Sequence, residues 1–99
     1  MFALSLTSPS DILTSVAARM KRRRLDLDLT QRELAARSGV SYGSLRLFED
    51  TGKASFEAVV KIAFALEAEA EFEALFPPRP VKTLDDVVGR PARRRARRK

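Results

Sequence analysis

Residues 29–50 read LTQRELAARSGVSYGSLRLFED, and the local chemistry of this stretch decides the fold. Thr30 to Glu33 spell T-x-x-E, the pattern of a capping box, in which the Thr hydroxyl and the Glu carboxylate each satisfy a backbone N–H at a helix start. A helix is predicted from there through Arg37, with Leu34 and Ala35 turned inward. Ser38-Gly39-Val40 is the predicted turn, since Gly39 can take a positive φ without strain, as a tight helix C-cap demands. Ser41 then caps a further helix to about Glu49, with Leu45 and Phe48 inward. Ala35 is small where a second helix must cross closely, and Val40 and Leu45 fill the angle between the two.

Working outward, Ser8-Pro9 opens an earlier helix. Ser8 suits the N-cap, Pro9 a position where no N–H is needed, and Asp11 the positive end of the dipole. Ile12, Val16 and Met20 recur every four residues, beside Leu13 and Ala17, and form one apolar stripe. That helix is predicted to end near Arg24, in the cluster Lys21-Arg22-Arg23-Arg24. Leu25–Leu29 is a connector in which Leu29 plugs the core. After the loop Thr51–Ala54, Ser55 caps a fourth helix bearing Phe56, Val59, Val60, Ile62, Ala63 and Leu66. Apolar over much of its circumference, it is expected to be the most buried. The acidic run Glu67–Glu71 leads through a bend into a short fifth helix with Phe72, Leu75 and Phe76, which Pro77, Pro78 and Pro80 stop.

The rest of the chain frames this unit. Residues 1–7 alternate Phe2, Leu4 and Leu6 with small residues; an irregular arm is expected, a short strand or a partner-binding arm being the alternatives. Thr83–Val88 reads as one or two further helical turns capped by Thr83, within a proline-containing extension over 77–88. The Arg-rich remainder, 89–99, is expected to be disordered. The class is therefore all-α: five short helices over residues 8–76, an extension and a basic tail.

Composition narrows the chemistry. The 99 residues suit one domain, and with no Cys and no His disulfides, zinc fingers and His- or Cys-based catalysis are excluded. No apolar run approaches the roughly 20 residues a membrane helix needs, and the N-terminus lacks the basic region of a secretory signal; a cytoplasmic protein is expected. The net charge is +6, but seven of the 19 cations and none of the 13 acids lie in residues 90–99, which leaves the remainder at −1. The basicity belongs to the tail. Glu67, Glu69, Glu71 and Glu73 are mostly spaced by two, do not converge on one helix face, and read as a solvated surface. Residues 21–24 could approach a nucleic-acid backbone, but Asp26 and Asp28 follow at once, and a solvated helix end is at least as natural. Nothing points to catalysis, a metal or a cofactor.

Two short helices joined by a glycine turn have the layout of a helix-turn-helix, whose second helix enters the DNA major groove; an ordinary αα-hairpin is the alternative. Here the stretch resembles the xenobiotic-response-element (Cro/C1-type repressor) helix-turn-helix family. The matching residues are Leu29-Thr30-Gln31, Glu33-Leu34-Ala35, Gly39-Val40-Ser41, Leu45 and Phe48-Glu49, and the likeness extends over roughly Ile12–Phe76. It implies a five-helix, lambda-repressor-like domain. In that frame Gln31 would contact a phosphate and brace the recognition helix. The reading surface would be Ser41, Tyr42, Gly43, Ser44 and Arg46, and to a lesser degree Leu47. Arg46 can grip a guanine edge or a phosphate, Tyr42 can lie against a thymine methyl, and Gly43 lets the backbone come close. Where Tyr42 and Gly43 stand, family members often carry longer polar side chains, and Asp50-Thr51-Gly52 replaces a more usual basic ending. Arg93, Arg94, Arg95, Arg97 and Arg98 would add salt-sensitive, sequence-independent affinity; a merely solubilising tail is the alternative.

Phe72, Leu75 and Phe76 either complete the monomer core or form a homodimer contact. In a dimer, two recognition helices would meet an inverted repeat of double-stranded DNA about one turn apart. The strings Ser44–Ser55, Ala74–Pro78 and Thr83–Val87 are also similar to HipB-type antitoxins, encoded beside HipA-type kinase toxins. That likeness implies an autoregulating repressor that binds its toxin; a stand-alone transcriptional regulator is the alternative.

Overall fold

The computed structural model describes residues 8–80. The expectations for the arm at 1–7, the turns at 83–88 and the Arg-rich tail lie outside the described residues. Within them the chain forms four α-helices, α1 (Pro9–Asp26), α2 (Gln31–Ser38), α3 (Tyr42–Thr51) and α4 (Phe56–Ala65), followed by a 3-10 helix, Glu69–Ala74. There is no strand among the described residues.

Each α-helix starts on a hydroxyl that accepts a backbone N–H three residues on: Ser8 from Asp11, Thr30 from Glu33, Ser41 from Ser44 and Ser55 from Ala58. The capping box of α2 is complete. The Glu33 N–H donates to the Thr30 hydroxyl at 3.0 Å, and the Thr30 N–H donates to the Glu33 carboxylate at 2.8 Å. These bonds hold the Glu33 carboxyl below its ordinary range; the Thr30 N–H is the largest cause, then the Thr30 hydroxyl, with Arg37 adding attraction and burial opposing. A carboxylate with a depressed folded pKa stabilises the fold above its unfolded pKa and loses that contribution as pH falls through the folded value. Glu33→Gln keeps an acceptor but removes the charge. The melting-temperature gap between the parent and Glu33→Gln should be widest near neutral pH and shrink as the pH falls below the ordinary glutamate range, where the carboxylate is protonated. A gap of equal size at both ends would mean that the charge contributes nothing.

The turns obey the same local logic. Gly39 ends α2 at φ 79° and its N–H donates to the Ala35 carbonyl; Gly52 ends α3 at φ 85° and its N–H donates to Phe48. After α1, Asp28 takes the left-handed conformation at φ 58°. The Leu29 N–H reaches back to the Arg24 carbonyl at 3.1 Å, and the reversed chain drops Leu29 into the core.

The core is the junction of these elements. Leu34, Leu45, Phe48 and Ile62 are its largest fully buried side chains, joined by Ala17, Leu29, Ala35, Val40, Ala63 and Leu66. Burial of each such large side chain contributes roughly 1.5–3 kcal/mol. α1 packs on α3, α2 packs on α3 and α4, and the 3-10 helix rests on α4.

Three expectations are corrected. The first helix continues past Arg24 to Asp26. Its stripe is buried only at Ala17, with Val16 and Met20 half-buried, while Ile12 and Leu13 remain about half exposed. At Leu13 the backbone of α1 passes close to Gly52 at the end of α3. The fourth helix does carry the smallest exposed share of the four α-helices, as expected, although Phe56 and Phe64 remain 64% and 62% exposed. The fifth helix is the 3-10 segment, tightened after a left-handed residue at Glu67.

Candidate nucleic-acid interface

The reading surface expected of residues 41–47 is the outer side of α3. Leu45 and Phe48 anchor the helix inward, which turns Gly43, Ser44, Arg46 and Leu47 to solvent, with Tyr42 half-buried at the edge of the core. A Cβ added at Gly43 would meet nothing within 4 Å. Its bare position therefore leaves open space above the α3 backbone rather than accommodating a neighbour in the fold. Ser41 is largely occupied in building the helix. Its oxygen accepts the Ser44 N–H at 3.1 Å and its O–H donates to the Ser44 hydroxyl at 2.9 Å. Ser44 retains its own hydroxyl hydrogen as an outward donor.

Tyr42 faces cations. The Arg32 guanidinium lies over its ring, 4.0 Å from the centroid, and that of Arg46 lies 5.8 Å away. Contacts of this kind are worth about 0.5–1 kcal/mol at exposed sites, enough to bias the two side chains toward the ring but less than their rotamer entropy. One face of the Tyr42 ring is thus taken by Arg32, and the surface gains a second guanidinium beside that of Arg46. Arg32 occupies an unconstrained place in the α2 pattern and contacts a residue ten positions away. Neither a motif nor a helical period could have selected it.

Beneath this surface lies a buried polar network that sets the position of α3. The Arg24 guanidinium donates to both Glu49 carboxylate oxygens, Nε at 2.8 Å and Nη2 at 3.0 Å, while its Nη1 donates to the Leu29 carbonyl at 2.7 Å. Gln31 Nε2 donates to Glu49 Oε1 at 2.8 Å. The Arg24 and Glu49 side chains are 8% and 3% exposed, so the paired forks are shielded from water and mutually oriented. One carboxylate near the end of α3 is therefore tied to the end of α1, the connector and the start of α2. Gln31 thereby joins the start of α2 to α3. Arg24 is no solvated helix end, as its place in the basic cluster suggested, but the buried member of that cluster. Arg22 and Arg23 are exposed and pair with Asp26 and Glu71 respectively.

Asp50 is exposed next to this network, an acid at the rim of an otherwise cationic face. The apolar triplet at the end of the domain separates. Phe72 is half-buried and meets Phe56 edge-on at 5.9 Å. Leu75 is 43% exposed and Phe76 is 88% exposed. Phe72 thus belongs to its own chain's packing, whereas Phe76 projects outward. No helix among the described residues is long and apolar enough to cross a membrane. No protein-family model matches the chain, and no curated protein matches it.

Proposed function

We propose that this chain is a sequence-specific DNA-binding transcriptional repressor of helix-turn-helix type. The observation that carries the reading is the outer side of α3. It combines a bare Gly43, a hydroxyl donor on Ser44 and the Arg32–Tyr42–Arg46 stack on a helix whose inner side is locked by Leu45, Phe48 and Glu49. A helix without a side chain in the middle of its first turn can approach base edges closely there, and a guanidinium beside an aromatic ring is partly oriented before it meets them. Arg46 is assigned to a base edge or an adjacent phosphate and Arg32 to the phosphate backbone.

Homodimerisation is part of the proposal. Of the candidate contacts Phe72, Leu75 and Phe76, Phe76 is the most exposed and is the residue assigned to a second copy. Two α3 helices about 34 Å apart would address an inverted repeat. In its finer form the proposal makes the chain the antitoxin of a HipA-type kinase toxin, repressing its own promoter. The exposed Phe64, outside that contact, favours a further protein partner. Co-purification with the neighbouring gene's product separates this form from a stand-alone regulator.

The direct test is a gel-shift titration on the chain's own promoter followed by footprinting. Arg46→Ala should lose roughly 1–3 kcal/mol of binding to the protected site and relax preference at one base pair. Non-specific binding should fall much less. If Arg46→Ala leaves site preference intact, α3 does not read the duplex in this way.

A further inference from the structure

An open groove of about 480 Å³ runs between the C-terminal half of α1 and the α4–3-10 corner. Its floor is apolar, formed by Val16, Met20, Ala63, Phe72 and Leu75, and its rim carries Arg19, Arg22 and Arg23. Asp26 and Glu71 also line it and pair with Arg22 and Arg23, so three cations face two acids and the rim is net positive. Arg19 turns its Nε to the Ser15 carbonyl at 3.3 Å and has no carboxylate among the described ion pairs. A half-open apolar trough with a cationic edge suits a short amphipathic segment that carries acids beside aliphatic side chains.

We propose that the occupant is residues 83–88 of the same chain, Thr83-Leu84-Asp85-Asp86-Val87-Val88. Three observations select it. In a helical turn Leu84, Val87 and Val88 fall at i, i+3 and i+4 and share one face, which matches the apolar floor. Asp85 and Asp86 give the segment a charge of −2, complementary to the arginine rim. The tether is short. Leu75 itself lines the groove, and the nine-residue step to Leu84 spans at most about 30 Å when extended. It includes Pro77, Pro78 and Pro80, which limit the conformations to be lost on docking. Residues 2–6, FALSL, are apolar but carry no charge for the rim. Phe64 and Phe76 do not line the groove, so a docked segment leaves both exposed. Docking would also fix the root of the Arg-rich tail beside the basic end of α1.

The test is solution NMR on the full chain with methyl labelling. The expected result is a set of nuclear Overhauser contacts from the Met20 and Ala63 methyls to those of Leu84, Val87 and Val88. They should be unchanged on tenfold dilution and absent from the intermolecular filter of a mixed-label sample. Leu84→Asp/Val87→Asp should abolish them and leave the contacts among Leu34, Leu45 and Ile62 in place. Contacts from the groove to Phe2 or Leu4 would overturn the proposal in favour of the N-terminal arm. Intermolecular contacts would overturn it in favour of a second copy, and a groove with no contacts to residues 83–88 would overturn it outright. None of these outcomes depends on DNA binding, so this proposal stands or falls separately from the repressor reading.

Discussion

Replacing Arg24 by Ala should destabilise the fold by about 3–5 kcal/mol, the usual penalty for removing one partner of a buried ion pair. The Glu49 carboxylate, 3% exposed in its side chain, would keep only the Gln31 amide. The Leu29 carbonyl would lose its guanidinium donor. Such a loss approaches the whole stability of a small domain, and urea titration followed by far-UV circular dichroism reads it directly. Arg24→Met combined with Glu49→Leu should be markedly less damaging than Arg24→Ala alone, because it removes both charges and retains most of the buried volume. Arg22→Ala is the internal control. Its partner Asp26 is exposed, and exposed pairs are worth at most about 1 kcal/mol. An Arg24→Ala cost as small as that of Arg22→Ala would mean that the network does not hold α3 in place.

The second large effect is expected at Gly52. Substitution by Ala there meets two penalties: φ is 85°, and the new Cβ would lie 2.7 Å from the backbone carbon and oxygen of Leu13. Since the obstacle is helix backbone rather than the tip of a side chain, α1 would have to move away from the end of α3. Left-handed strain costs about 1–2 kcal/mol and forced overpacking about 1–3 kcal/mol, so Gly52→Ala should cost roughly 2–5 kcal/mol. Gly39→Ala has the same backbone demand, φ 79°, but nothing within 4 Å of the added atom, and should cost only the first part. Gly43→Ala lies in the first turn of α3 with open space around it and should stabilise by at most about 0.5–1 kcal/mol, the mid-helix value. Chemical denaturation of the three variants should therefore rank them 43, 39, 52 from most to least stable. If Gly39→Ala and Gly52→Ala cost the same, α1 does not press on the α3 C-cap.

The helices, their caps and the glycine turn between α2 and α3 were legible in the sequence because each is decided by bonds that span three or four residues. Thr30 with Glu33, Ser41 with Ser44, and Gly39 with Ala35 need no knowledge of the rest of the fold. The inward positions Leu34, Leu45 and Phe48 follow equally from helical period, and all three are buried. The outward residues of α3 follow as the complement of those two.

Tertiary structure alone decided what lies across helices. Arg24 and Glu49 are 25 residues apart and Gln31 and Glu49 are 18 apart, so nothing local distinguishes Arg24 from its exposed neighbours Arg22 and Arg23. The stack of Arg32 on Tyr42 and the edge-on meeting of Phe56 with Phe72 likewise arise only once α2, α3, α4 and the 3-10 helix have taken their crossing angles. Hydrophobic period states which side of a helix is buried. Which polar group is buried with it, and against what, depends on where a second helix passes, and that is set by the packing of the whole core.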